Sequence, residues 1–208
     1  MATNADLQPI NPDRQWFIVG RWQEYEGEAR ANLLRIVGIG AFYLVELYSY
    51  YTGEVDGRFH QAVTALALAW AMVALAIHFC LGQRVFPGLL KFLSTGADAV
   101  LLTSILLVAD GPKSALVVGY LLVIVLSSLR FSLRLVWFAT LASMAGYIFL
   151  LGYARWFVDP DRNLRVPRYQ QAIFLLALAL TGIVLGQVIR RVKKMAEQFA
   201  LRTKEKTP

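Results

Sequence analysis

The sequence contains almost no cysteine or histidine and lacks the signature motifs of common enzymes. Its single cysteine, Cys80, excludes an intrachain disulfide and a cysteine-based metal site. Its two histidines, His60 and His78, have no second ligand three or four residues away, so no metal site is expected. Phosphate-loop, GxGxxG, HExxH and GxSxG motifs are all missing. We therefore predict no cofactor, no metal and no catalytic residues, and we expect that the protein is not an enzyme.

Charged residues are also scarce. They make up 17% of the chain, whereas 57% of its residues are hydrophobic and its mean hydropathy is +0.51. Soluble domains are nearer to about 45–50% apolar. The composition predicts a polytopic membrane protein whose main partner is the lipid bilayer and which does not bind nucleic acid. The N-terminus lacks the basic and apolar regions of a signal peptide, so the first helix is expected to direct insertion.

Six apolar runs account for most of the chain, and no alternating strand pattern is present. Each run is close to the ~20 residues that a helix needs to cross a ~30 Å hydrocarbon core, although the fourth is short. The predicted fold class is therefore all-α, a bundle of six transmembrane helices with a C-terminal helical extension. The predicted spans are 33–51, 61–82, 89–109, 114–130, 134–153 and 169–189.

The distribution of lysine and arginine predicts the orientation. With both termini in the cytoplasm, 15 of the 21 basic residues lie on the inner side, as the positive-inside rule requires. The connection from Ala154 to Arg168 is the exception, because it carries four arginines on the outer side. We expect a multi-pass protein of the bacterial inner membrane. Its predicted parts are a cytoplasmic segment with an interfacial aromatic helix at 1–30, a transmembrane domain at 31–190 and a basic cytoplasmic helical tail at 191–208.

The sixth span and the tail contain two patterns that favour close helix contact. Gly182 and Gly186 form a GxxxG motif, which lets helices approach either within the chain or between two copies. A 4-3-4 apolar spacing in the tail predicts a short coiled-coil seam and a homodimer through helix six, although a basic helix end that snorkels to lipid explains the tail equally well. The seam residues are Val188, Val192, Met195 and Phe199.

Two acidic residues, Glu46 and Asp98, lie within predicted spans, where charges are costly and so are rarely idle. Depth counted along the helices places Glu46 level with Tyr120 and Asp98 level with Ser127, which predicts two hydrogen-bonded pairs. Ser94 extends the polar patch by one turn. These five residues form the predicted ligand or proton site between helices one, three and four. The alternative is that they make structural hydrogen bonds that fix helix packing.

Basic residues near the inner ends of the spans have a simpler interpretation. Their long side chains are expected to snorkel to lipid phosphates. The residues concerned are Arg35, Lys91, Arg130 and Arg134.

The segment from Tyr120 to Phe131, together with Asp98 and with Arg35 near the start of span one, resembles the membrane input module of bacterial sensor histidine kinases. The receptors for diffusible fatty-acid signals and the PilS-type kinases are the nearest in pattern, and the membrane anchors of class III nucleotide cyclases look similar. This resemblance implies a sensor whose helix six relays a signal, with Arg130, Gly182 and Gly186 as relay residues. The chain has no phosphoacceptor histidine box, ATP-binding domain or cyclase domain, so either a cytoplasmic kinase or cyclase partner supplies the output or the chain is a fragment.

The sequence therefore favours a stand-alone sensor that binds a small or lipid-like ligand inside the bundle. A small proton- or cation-coupled transporter or channel is the first alternative, with Glu46 and Asp98 as the relay. A structural subunit of a membrane complex is the second, with the aromatic segment around Trp16 to Tyr25 as its docking face.

Overall fold

The computed structural model describes residues 12–83, 88–157 and 164–205, and the side chains of 12–25, 197 and 199–205 lie outside this description. All regular structure in the described part is helical. The helices are α1 (Pro12–Tyr51), α2 (Gly57–Gly82), α3 (Leu90–Val108), α4 (Gly119–Ser128), α5 (Leu133–Trp156) and α6 (Arg168–Glu205), with two short 3-10 turns, Gly111–Lys113 and Ala115–Val118, before α4.

Among the described residues, five helices are long and apolar enough to cross a membrane, and Ala115–Ser128 is a shorter apolar segment. The predicted class, a helical membrane bundle with a long final helix, is thus confirmed. The fourth segment is shorter than the sequence pattern suggested. Its α-helix and preceding 3-10 turn together rise about 23 Å, less than the ~30 Å hydrocarbon core.

The first and last helices both extend well beyond their apolar spans. The interfacial segment and the first span form one unbroken helix, Pro12–Tyr51, so no break separates them near residue 30. Likewise α6 continues without interruption from the last span into the basic tail, as the sequence pattern predicted. Within each spanning helix the backbone hydrogen bonds are internal, which lipid requires because it offers no alternative partners.

The connections at one end of the bundle are tight turns that depend on glycine. Gly53 (φ +78°) follows α1 and Gly111 (φ +56°) follows α3, and both adopt the left-handed conformation that glycine tolerates best. Ser114 then caps the second 3-10 turn, because its side chain accepts a hydrogen bond from the backbone N–H of Leu116 at 3.2 Å. These turns make α1 antiparallel to α2 and α3 antiparallel to α4.

The densest packing lies among α3, α4, α5 and α6. Large side chains from these four helices are fully or almost fully buried there: Leu106, Tyr120, Ile124, Val136, Tyr147, Leu150 and Leu178. By contrast, α1 and α2 form an outer hairpin. After Arg35 in the sequence, its buried residues are Val63, Ala74, Ile77 and Leu81, all on α2. The hairpin contacts the four-helix unit mainly through α2 against α3, and α1 touches α4 over a short stretch.

Candidate functional site

One face of α1 carries polar residues into the protein interior. Glu28, Asn32 and Arg35 are spaced by four and three residues, so they lie above one another on a single helix face. Their exposed fractions are 0%, 1% and 3%. A buried polar stripe is stable only if each group meets a partner, and the partners come from α2, α3 and the end of α4.

Arg35 and Asp98 form a buried, two-pronged ion pair between α1 and α3. The Nε of Arg35 donates to Oδ1 of Asp98 and Nη2 donates to Oδ2, both at 2.7 Å. Trp70 of α2 also donates its indole N–H to Oδ1 at 2.8 Å. Asn32 accepts a bond from Nη1 of Arg35 at 2.7 Å and donates to the backbone oxygen of Ala74 at 3.0 Å. Three helices are therefore joined at Asp98.

A second buried pair joins α1 to the end of α4. Nη2 of Arg130 donates to Oε1 of Glu28 at 2.7 Å. The Nε and Oε2 atoms of the same residues are 2.6 Å apart but are not aligned as a hydrogen bond, so that contact is electrostatic. Arg130 also donates to Ser94 Oγ at 3.0 Å, to Thr95 Oγ1 at 2.5 Å and to the Lys91 carbonyl at 3.0 Å. These bonds hold the short α4 against the first turns of α3.

The two pairs are reciprocal in charge. The hairpin contributes the acid Glu28 and the base Arg35, and the four-helix unit contributes the base Arg130 and the acid Asp98. The cluster contains two acids and two bases, so their formal charges cancel. Desolvating two charges is costly, and removing one partner of a buried pair costs about 3–5 kcal/mol because it leaves the other uncompensated. The cluster therefore specifies how the hairpin docks.

Above the charge cluster, α1 and α4 separate and leave a cleft. At Gly27 of α1, an added Cβ would lie 2.8 Å from the carbonyl oxygen of Leu129, the residue that follows α4. Farther along α1 there is a cavity of about 240 Å³ between α1, α2, α3 and α4. Its walls are apolar except where Arg35, Asp98 and Trp70 reach it; the apolar lining comes from Leu34, Val37, Gly38, Ile39, Phe42, Leu102, Gly119, Leu122, Val123, Val125 and Leu126.

The mouth of this cleft lies on the apolar outer surface of the bundle. Lining residues on both sides of it, such as Val37 and Leu122, are 58% and 44% exposed. A second, smaller cavity of about 60 Å³ continues along α1 and shares Ile39, Phe42, Trp70 and Leu102 with the first. The result is an apolar space that opens sideways and meets a buried ion pair at one end.

Glu46, which lines the smaller cavity, pairs with His60. His60 Nδ1 lies 2.9 and 3.2 Å from the two Glu46 carboxylate oxygens. The His60 ring also stacks on Tyr50, with centroids 4.1 Å apart. Glu46 and Asp98 thus belong to separate polar groups with apolar residues between them. Within the described residues, no group of three or more His, Cys, Asp or Glu side chains is placed to hold a metal ion.

Both hydrogen-bonded pairs predicted from depth are wrong. Glu46 bonds to His60 instead of Tyr120, whose hydroxyl lies 2.7 Å from Thr103 Oγ1. Asp98 bonds to Arg35 and Trp70, whereas Ser127 donates to the Ile124 carbonyl of its own helix at 2.7 Å. Depth along the membrane normal does not determine which helix face a residue occupies, nor how far a long side chain reaches.

Of the predicted ligand residues, only Asp98 lines the larger cavity, and Glu46 lines the smaller one. Ser94 belongs to the Arg130 pair, while Tyr120 and Ser127 are buried in the four-helix unit. The predicted location between helices one, three and four matches the cleft, but the structure does not bring the five residues together.

The interpretation of Arg35 and Arg130 as snorkelling residues is also wrong. Both are buried, 3% and 5% exposed, because acids on neighbouring helices neutralise them. Sequence reasoning missed Glu28, Asn32 and Trp70. The four- and three-residue spacing from Glu28 to Arg35 was a usable signal for one polar helix face, but Glu28 lies before the apolar run and was assigned to the interface. No sequence signal marked Trp70.

The Gly182 and Gly186 pair packs inside the chain. A Cβ on Gly182 would overlap the Thr140 side chain of α5, and one on Gly186 would lie 3.2 Å from Leu133 Cδ1. The GxxxG motif therefore serves packing within the chain, between α5 and α6, and not contact between two copies. The seam residues farther along α6 remain exposed, with Val188 at 51%, Val192 at 36% and Met195 at 51%, whereas the side chain of Phe199 lies outside the described residues.

Comparison with known proteins adds a family to this geometry. Residues 90–202, more than half of the chain, match the model of a family described as a domain of unknown function, DUF4118. The chain belongs to the DUF4118 family. This domain is found in the membrane input modules of sensor kinases. No curated protein and no solved structure shows significant similarity to the chain.

The DUF4118 match begins at the start of α3 and ends within α6. The DUF4118 domain is therefore the densely packed four-helix unit, and the α1–α2 hairpin precedes it. Both buried ion pairs and the cleft lie where the hairpin meets the domain. The candidate site is built from both parts: Arg35 and Trp70 come from the hairpin and Asp98 comes from the domain.

Proposed function

We propose that the protein is a membrane input module of a bacterial signalling system, and that a lipid-like ligand in the cleft between α1 and α4 sets its state. The observation that carries this proposal is the apolar cavity of about 240 Å³ that opens toward lipid and ends on the Arg35–Asp98 pair. A single-chain amphiphile fits such a space, because burial of its chain is favourable and the opening lets it enter from the bilayer.

The wall of the cleft connects the ligand to the rest of the bundle. Trp70 lines both cavities and hydrogen-bonds to Asp98, so a ligand that displaces the indole removes one of the bonds that fix that carboxylate. The α4 wall packs against α5 and α6. A shift of α4 on binding would therefore reach α6, which continues into the tail. Binding shifts a conformational equilibrium only by its difference in affinity for the two states.

The signal output proposed here is a change in how α6 pairs, either with α6 of a second copy or with a cytoplasmic kinase or cyclase. The exposed Val188, Val192 and Met195 support this role, because they form an apolar stripe on a helix that leaves the bundle. The glycine pair is not free for this purpose, since α5 already covers it.

Filling the cleft tests ligand binding directly. Gly38 lines the cavity and a Cβ there would meet no atom within 4 Å, so Gly38→Phe places a ring in the space. Gly40→Phe is the matched control, because Gly40 has equal room but does not line the cavity. We expect dibrominated stearate to quench Trp70 fluorescence in the unmodified protein and in Gly40→Phe, with at least about a tenfold loss of apparent affinity in Gly38→Phe.

The chain has five tryptophans, so the quenching must be assigned to one of them. The difference in quenching between the unmodified protein and Trp70→Phe gives the contribution of Trp70. Equal quenching in Gly38→Phe and Gly40→Phe would show that the acyl probe reaches the tryptophans from the bulk bilayer, and ligand binding in the cleft would then be abandoned.

Disulfide trapping tests the output through α6. In a Cys80→Ser background, Val192→Cys is expected to crosslink two copies in membranes, whereas Lys194→Cys, on another face of the same helix, is not. Adding stearate should change the rate of crosslinking at position 192. Absence of crosslinks at both positions would exclude a homodimer through this seam and leave a heterologous partner.

The transporter alternative has less support. A relay between Glu46 and Asp98 needs polar groups or water between them, but the residues that line the space between their two pairs include Ile39, Phe42 and Leu102. Each acid also has its own cationic or imidazole partner.

A further inference from the structure

A third cavity, of about 700 Å³, lies at the opposite end of the bundle from the basic tail, beside the connection between α5 and α6. Three arginines line it: Arg155 from the last turn of α5, Arg165 from the connection, and Arg168 at the start of α6. None of its described lining residues is acidic. This cavity is separate from the cleft, and the inference drawn from it does not depend on the proposed function.

The wall of this cavity is held in place on two sides. Gln171 donates a hydrogen bond from Nε2 to the Val166 carbonyl at 2.7 Å, which fixes the end of the connection to the first turn of α6. Leu164 lies against the buried turn at Gly111, where its Cδ1 is 4.0 Å from the position a Cβ would occupy. The segment that carries Arg165 is therefore ordered by contacts with α6 and with the turn between α3 and α4.

The described residues around the cavity do not neutralise the three positive charges. Within the described ranges, none of the three arginines makes an ion pair with another residue. A cation is favourable at the end of α5, but Arg168 begins α6, where a positive charge is unfavourable and no acid in the first turn offsets it. Like charges that share one cavity repel each other, so an anion between them would lower the energy of the arrangement.

The position of these arginines in the chain is also unusual. Loops rich in lysine and arginine stay on the cytoplasmic side of a membrane, yet the predicted orientation places this connection outside. Exposed aromatic residues, Trp156 at 71% and Phe157 at 79%, lie next to Arg155, as is typical of the membrane–water interface. The planar guanidinium group suits phosphate because it offers two parallel donors.

We propose that Arg155, Arg165 and Arg168 form a phosphate-binding site at the outer membrane–water interface, which takes the headgroup of an anionic phospholipid or a free phosphate. Arg165 and Arg168 supply the charge on the connection and on α6, and Arg155 closes the site from α5.

The test is a native mass spectrometry titration of the full chain with phosphatidylglycerol, with phosphatidylcholine as the comparison lipid. We expect preferential binding of phosphatidylglycerol. The double variant Arg165→Gln/Arg168→Gln should lose at least about tenfold in affinity, because each charged hydrogen bond contributes roughly a factor of ten. Arg58→Gln is the matched control, since Arg58 is an exposed arginine at the same end of the bundle that does not line this cavity.

Competition by inorganic phosphate, with chloride at equal ionic strength as its control, separates the two sources. Competition indicates a site for free phosphate, and its absence indicates a lipid headgroup. Equal phosphatidylglycerol affinity in the double variant and the unmodified protein would overturn the proposal, and so would an equal loss in Arg58→Gln. If the double variant does not fold, Arg165→Gln alone and Arg165→Lys give the same comparison.

Discussion

Removing the charge of Asp98 without changing its shape is the sharpest perturbation of the candidate site. In Asp98→Asn the side-chain oxygen can still accept the Trp70 indole bond, but Arg35 loses its counter-ion while its side chain remains 1% exposed. Breaking a buried ion pair costs about 3–5 kcal/mol, and the cost of an arginine in a spanning helix reaches roughly 2.5–3.5 kcal/mol at the helix centre, an upper bound for Arg35 near the end of its span. An average hydrogen bond between helices within a membrane bundle contributes only about 0.6 kcal/mol to stability, because the same polar groups also find partners in the unfolded state.

The uncompensated charge of Arg35 is the largest of these contributions. We therefore expect Asp98→Asn to lower the free energy of unfolding by about 3 kcal/mol. For a chain of this size that loss corresponds to a decrease of about 6–12 °C in thermal midpoint. The assay is thermal unfolding of detergent-solubilised protein, followed by size-exclusion chromatography with fluorescence detection. Arg35→Met should be destabilising as well, because it leaves Asp98 unpaired. The double variant Arg35→Met/Asp98→Asn should recover most of the loss, with a coupling energy of about 2–3 kcal/mol.

The control is the exposed ion pair between Glu26 and Arg30 on the same helix, whose side chains are 56% and 70% exposed. Glu26→Gln should change stability by no more than about 0.5 kcal/mol, because solvent screens exposed pairs. A coupling energy below about 0.5 kcal/mol for Arg35 and Asp98 would refute the reasoning, since the pair would then contribute no more than a surface pair does.

The remaining predictions concern close helix contacts. Gly27→Ala should destabilise the protein by about 1–3 kcal/mol, because its Cβ would lie 2.8 Å from the backbone oxygen of Leu129, which cannot move aside as a side chain can. Gly40→Ala is the control for helix propensity and should be neutral or slightly stabilising, since nothing lies within 4 Å of its Cβ. Gly182→Ala should also be destabilising, because relieving its overlap with Thr140 breaks the hydrogen bond from Thr140 to the Val136 carbonyl. Thermal midpoints of the three variants check these expectations, and a midpoint for Gly27→Ala at or above that of Gly40→Ala would contradict the close approach of α1 and α4.

The sequence by itself determined the class of the protein and most of its helices. Apolar runs long enough to span a bilayer leave the backbone no choice but helix, because lipid satisfies none of its hydrogen bonds. The same runs located Asp98 and Glu46 as acids within spans, and the cost of such acids correctly implied that each would have a partner. The continuation of α6 into the tail followed from an unbroken helical pattern.

Only the tertiary structure decided which groups become partners. Counting residues gives a depth for each side chain, but neither the rotation of each helix nor the reach of arginine follows from that count. Arg35 and Arg130 were therefore assigned to lipid, although they lie against Asp98 and Glu28. The cleft is likewise a property of how α1 and α4 lie against each other, and no local pattern in either helix encodes that arrangement.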